Sequence, residues 1–216
     1  MGEIADIPSP GVPTRYGTAG EPAAILVPDA YGRLPWLEPF AIALAERAGL
    51  RVLVLDLYRG SATTDAAEAE RLLAEFGTES SLAEVLDAVD AARDEGAVRI
   101  ALVGFGTGGR IALLAAQDGA ADAVVAYDAT LDADEHALLP APVLLQLAEV
   151  AEWLPGADPE GFVDRLRDHG TPVTRHDYVG ARPGFANATA GDAFDARTAA
   201  LAFARTAVFL EDRLHD

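Results

Sequence analysis

An open, mostly parallel α/β sheet with helices on both faces is the fold this sequence predicts, and three observations predict it. Short apolar runs bounded by Gly, Pro or Asp recur along the chain without clean alternation, as strands covered on both faces do. Helical periodicity fills the gaps between them. A glycine cluster follows one apolar run directly and opens the next helix. The expected architecture has three layers and no cap domain, and 216 residues suit one such domain.

The elements are expected in the following order. Residues 1–21 are rich in Gly and Pro and weakly patterned, so they form either an edge hairpin or an irregular segment laid over the domain. The domain proper is 22–216. Strands are expected at 23–27, 51–55, 98–103, 123–127, 143–147 and 172–178. Residues 36–48 place Leu37, Phe40, Ala41, Leu44 and Ala48 on one helical face. Residues 65–76 and 82–93 read as two helices, acidic outside and Leu/Val inside. A short apolar helix spans 110–116, and two more occupy 160–168 and 193–213. The acidic run 131–135 reads as a solvated loop.

Composition excludes several function classes. Half of the residues are apolar, enough for a full core. The formal charge is −19, from 35 acids and 16 bases, and every base is Arg. Such a surface repels phosphate backbones and anionic lipids, so neither nucleic acid nor a membrane is an expected partner. The absence of Cys removes disulfides, thiolate metal sites and a Cys nucleophile. The absence of Lys removes Schiff-base chemistry. Residues 1–20 contain no apolar run of the length a signal peptide needs, and the longest apolar stretches are far below a membrane span. A cytoplasmic monomer or homodimer is expected, with a small-molecule ligand and neither cofactor nor metal.

The sharpest local feature is the strand–glycine–helix passage from Val98 to Arg110, which has two readings. Gly104, Gly106 and Gly109 fit G-x-G-x-x-G, with Asp128 about 20 residues on where a ribose-binding acid would stand; that is a dinucleotide fingerprint. It falls mid-chain, however, after two earlier strand–helix units. The other reading is a nucleophile elbow, a tight turn that presents a side chain at the end of a strand.

The rest of the chain resembles the dienelactone hydrolase family of the α/β-hydrolase fold. The stretches carrying the likeness are Ala24–Gly32, then Val52–Gly60 with its Asp56-Leu57-Tyr58, then the glycine cluster, which resembles G-[FY]-C-x-G-G. Tyr178–Asn187 resembles the loop Y-x-G-A-x-H-G-F-A-N. By this resemblance the nucleophilic Cys falls on Gly106, the triad Asp near Ala151 and the catalytic His on Pro183. All three are degenerate, although Glu149 and Glu152 stand near the acid position. The resemblance also implies a backbone oxyanion hole at Ala30 and Thr107 and an acid at Asp29, with Asp128 a second acid/base at the same sheet edge. Substrate-binding roles are expected for Tyr31, Arg59, Phe105 and Arg182. None of Ser9, Ser61, Ser80 and Ser81 sits in an elbow context, and His136, His169, His176 and His215 all read as structural. Three functions remain open: a noncovalent acid–base enzyme on a small carbonyl or lactone-type substrate, a pseudoenzyme that binds or scaffolds, and a nucleotide-binding protein.

Overall fold

The computed structural model describes residues 4–6, 12–18, 22–149 and 158–215. Its elements, in chain order, are β1 (Ile4–Asp6), β2 (Thr14–Tyr16), β3 (Ala23–Val27), α1 (Leu37–Ala48), β4 (Arg51–Val54), β5 (Ser61–Thr63), α2 (Ala66–Asp94), β6 (Ile100–Phe105), α3 (Thr107–Gln117), β7 (Ala123–Tyr127), β8 (Val143–Ala148), α4 (Pro159–Asp168), β9 (Val173–Tyr178) and α5 (Ala196–Leu214).

Seven strands form one sheet in the order β2-β4-β3-β6-β7-β8-β9. Only β2 runs antiparallel to its neighbour. The strands are apolar on both faces because both faces are covered. Ile25, Leu102, Val124 and Leu145 turn toward the layer of α2, α3 and α4, while Leu26, Val103, Val125 and Leu144 turn toward α1 and α5. Alternate residues of each strand thus feed two cores, and neither core leaves a polar face for sequence alternation to mark.

Among the described residues, β1 and β2 do not pair with each other. β1 pairs with β5, and β2 is the sheet edge against β4. The two helices expected at 65–76 and 82–93 are present as two helical segments of α2 that meet at a kink at Gly77, whose φ of 72° and ψ of 164° interrupt the helical turn. Val98 lies outside the third central strand and is exposed, so that strand starts two residues later than the apolar run suggested. Helix starts follow local chemistry: Asp65, Asp158 and Asp195 each accept a first-turn amide, and Gly49 ends α1 in the left-handed conformation.

A buried polar seam ties α5 to the sheet. Tyr127 Oη and Thr206 Oγ1 lie 2.7 Å apart, Gln146 Nε2 donates to the Ala202 carbonyl at 3.0 Å, and Tyr178 donates to Gln146 Oε1. These bonds fix the wall between β7, β8 and β9 at the carboxyl edge of the sheet, where open α/β folds bind ligands.

Candidate active site

Four strand ends build the site. β3 delivers Asp29, Ala30 and Tyr31; β6 delivers Phe105, Gly106 and Thr107; β7 delivers Asp128; and the loop after β9 delivers Pro183, Gly184 and Asn187. They enclose a cavity of about 470 Å³. That is the size of a small-molecule pocket.

The turn from β6 into α3 is a sharp elbow. Gly106 sits at its apex with φ 50° and ψ −118°. Its amide donates to the Tyr127 carbonyl at 2.8 Å, and its carbonyl accepts from Arg110 N at 3.1 Å. The neighbouring glycines are there for space. A Cβ on Gly104 would collide with the Gly108 carbonyl, and one on Gly108 with the Pro28 carbonyl. At Gly106 the constraint is conformational instead: an added Cβ would meet only Asp29 Cβ, at 3.7 Å, and would point into the cavity. The apex of the elbow therefore carries no side chain and borders open space. The start of α3 is pressed onto the backbone of residues 27–28, so the glycines serve this packing as an elbow does.

Beside the apex, Ala30 and Thr107 line the cavity, and their amides donate to no protein acceptor among the described residues. Thr107 opens α3, so its N–H has no acceptor in the helix.

Asp29 stands across from the apex. Its Oδ1 accepts from the Tyr31 amide at 3.0 Å and its Oδ2 from Asn187 Nδ2 at 2.8 Å. Burial outweighs these two bonds and pushes the carboxyl up to about 6. Asn187 is itself fixed, because its Oδ1 accepts from the Thr189 and Ala190 amides, both at 2.9 Å; this turns its NH₂ toward Asp29.

Asp128 is held differently. It adopts the left-handed backbone, with φ 48°. Its Oδ1 accepts from Ala148 N and its Oδ2 from Gly184 N, both at 2.8 Å. The carboxyl bridges the end of β8 to the cavity loop, and burial pushes it too up to about 6. Phe105 and Tyr31 line the cavity, Phe105 packing edge-on against Trp36 with ring centres 4.8 Å apart.

Two expected ligand-binding residues stand elsewhere. Arg59 is exposed at a left-handed turn, because burial of the preceding Tyr58 against Phe76 sends the next side chain outward. Arg182 turns away to Asp192, pairing with its carboxylate at 3.2 Å and donating to its carbonyl. Neither lines the cavity. Pro183, at the position expected for His, does line it. Ala151 and Glu152, at the expected acid position, lie outside the described residues. Glu149 accepts from the Gly180 amide at 3.0 Å. All four His lie among the described residues, and none faces the cavity. His136 and His169 bond each other at 3.1 Å, and His215 meets the Ala48 carbonyl at 2.8 Å.

Sequence reasoning missed Arg110 and Glu135, a paired cation and anion in the cavity wall, and the role of Asn187. Asn187 had a signal, since it ends the Tyr178–Asn187 pattern; the Arg110–Glu135 pair joins a helix start to a loop and had none. Among the described residues there is no cluster of three or more His, Cys, Asp or Glu arranged to hold a metal ion, and no helix is long and apolar enough to cross a membrane.

A parallel sheet flanked by helices, with a strand–elbow–helix and a cavity at its carboxyl edge, defines an α/β-hydrolase scaffold. The chain belongs to the dienelactone hydrolase family, whose profile matches residues 13–214. No curated protein matches it in sequence. Solved structures match it in fold. A dienelactone hydrolase-like promiscuous phosphotriesterase from metagenomic libraries is 18% identical, with 91% of this chain and 88% of that one covered and a TM-score of 0.76. A candidate dienelactone hydrolase from Klebsiella pneumoniae subsp. pneumoniae is 20% identical over 97% and 98% of the two chains, with a TM-score of 0.77. Dienelactone hydrolase from Anabaena variabilis is 18% identical over 93% and 96%, with a TM-score of 0.59.

Proposed function

We propose that the protein is a noncovalent acid–base enzyme acting on a small carbonyl or lactone-type substrate, as an isomerase, cyclase, lyase or a hydrolase that works without an acyl-enzyme. One observation carries this reading: two cavity amides without a protein acceptor stand beside a carboxyl that titrates at about 6, at an apex with no side chain. A base with a pKa near the working pH is the effective kind. The amides of Ala30 and Thr107 are suited to negative charge on a carbonyl oxygen.

In the proposed step, ionised Asp29 takes a proton from the carbon next to the carbonyl. The C–H electron pair forms the C=C bond, and the carbonyl π pair moves onto oxygen, where the two amides hold it. Return of the proton from Asp29 to a different carbon shifts the double bond; expulsion of a leaving group instead gives elimination. Asn187 positions Asp29 in this scheme, and Asp128 positions the loop that carries Asn187, its own oxygens being taken up by main-chain donors. The space above Gly106, where a nucleophile would stand, is left to substrate or water.

The test is deuterium exchange at the α-carbon of small cyclic ketones and lactones in D₂O, followed by NMR. Exchange is expected to rise with pH through about 6 and then level off, as Asp29 loses its proton. Asp29→Asn should lower it by about 10²-fold or more while binding persists. Equal exchange by the variant would remove Asp29 as the base. Binding without exchange would favour the second reading, a pseudoenzyme that binds a ligand; the hydrogen bonds on both Asp29 oxygens are what speaks for it.

A further inference from the structure

The charges in the cavity wall do not balance. Asp29, Asp128, Asp132 and Glu135 line it, and Arg110 is the cation among them. The segments outside the described residues contain no Arg, Lys or His, so they add no cationic side chain. Arg110 is also already matched: its Nε donates to Glu135 Oε2 at 3.2 Å and its Nη2 to Oε1. The two arginines with a claim to an anionic ligand, Arg59 and Arg182, stand outside the cavity. Aromatic side chains, Trp36 and Phe105 among them, form much of the rest of the wall. A carboxylate entering this space would meet uncompensated like charge in a low-dielectric recess. An ammonium would meet opposite charge and aromatic rings.

Resting on the reading that this cavity is the working site, we propose that its ligand is cationic, an amine-bearing carbonyl compound, and that Glu135 sets this preference by neutralising Arg110. The acidic wall attracts the ammonium, while the oxyanion-hole amides remain for the carbonyl. Were Glu135 neutral, the Arg110 guanidinium would be released to the cavity and the preference would move toward anions.

Three probes of one shape test this: para-acetylbenzylamine, para-acetylbenzyl alcohol and para-acetylbenzoate, titrated calorimetrically in low salt at about pH 8, above the values of about 6 for Asp29 and Asp128. The ammonium is expected to bind tightest and the carboxylate weakest, with steps of about tenfold. In Glu135→Gln the ammonium should weaken and the carboxylate tighten. Asp132→Asn, whose side chain leaves the Arg110 pair untouched, should weaken the ammonium and tighten the carboxylate by a smaller factor than Glu135→Gln does. Carboxylate binding as tight as ammonium binding overturns the proposal, as does an unchanged order in Glu135→Gln or binding by none of the probes. Ordered binding without proton exchange would retain the charge preference and remove the enzymic reading. Rapid exchange on tightly bound para-acetylbenzoate would do the reverse.

Discussion

Gly106 concentrates what is unusual about this site. Its φ of 50° is a conformation that costs an L-residue about 1–3 kcal/mol. A family member with a nucleophile there bears that strain; glycine does not. Gly106→Cys should therefore fold, since its Cβ meets nothing nearer than Asp29 Cβ at 3.7 Å, but with a stability loss of about 1–3 kcal/mol by urea denaturation. It should gain little ester turnover, because Pro183 supplies no imidazole. Adding Pro183→His should raise turnover by more than the two single changes predict, since nucleophile and base act as a unit. A neutral or stabilising Gly106→Cys would mean that the apex is not strained, and a double variant no faster than the single would remove Pro183 from the histidine position. This much was legible in the sequence, because an elbow needs small residues at fixed offsets and the pattern around Gly104, Gly108 and Gly109 survives without the nucleophile. Arg59 and Arg182 were not legible in the same way. A motif gives the order of residues along the backbone, but the direction of a long side chain depends on a neighbour such as Asp192 or a turn such as that after Tyr58.

Among the elements, the loop after β9 depends most on one residue. Asp128 follows β7 directly and reaches both the last residue of β8 and Gly184, so a single carboxylate joins three parts of the cavity wall. Asp128→Ala leaves those two amides without their acceptor, at a cost of about 1–3 kcal/mol for each that stays dry. The effect should be local. Hydrogen exchange by mass spectrometry should show faster exchange across 180–187 than in the native protein, with the central strands β3, β6 and β7 unchanged. Uniform acceleration over the whole sheet would mean that Asp128 supports the fold rather than the loop. The central strands and most helices were legible because burial on both faces leaves an apolar run and helical periodicity is explicit. The N-terminal pairing was not, since β1 and β2 each contribute only three residues and pair with strands far along the chain. The two helical segments of α2 were legible separately, and Gly77 marks the kink between them.

Over the whole molecule, two electrostatic effects push stability the same way with pH, and salt separates them. The excess of 19 negative charges repels itself in the folded state, and exposed pairs such as Arg47–Glu211 offset little of it. Asp29 and Asp128 form the second effect. Each has a folded pKa of about 6, raised by burial above the ordinary carboxylate value of 3.8. Between those values the native state holds more protons than the unfolded chain, so stability falls as pH rises through that window and stays lowered above about pH 6. Repulsion acts in the same direction, because acids ionise as pH rises. At about 1 M NaCl the screening length shrinks to roughly 3 Å, which removes the long-range repulsion while sheltered carboxyls are screened much less. The melting temperature at about pH 8 should therefore rise from low salt to 1 M NaCl. A decline between about pH 4 and pH 6 should persist in 1 M NaCl and become shallower in Asp29→Asn, which leaves Asp128 as the contributor. If the decline vanishes in high salt, Asp29 and Asp128 titrate near their ordinary values, and the base assigned to the active site loses its physical support.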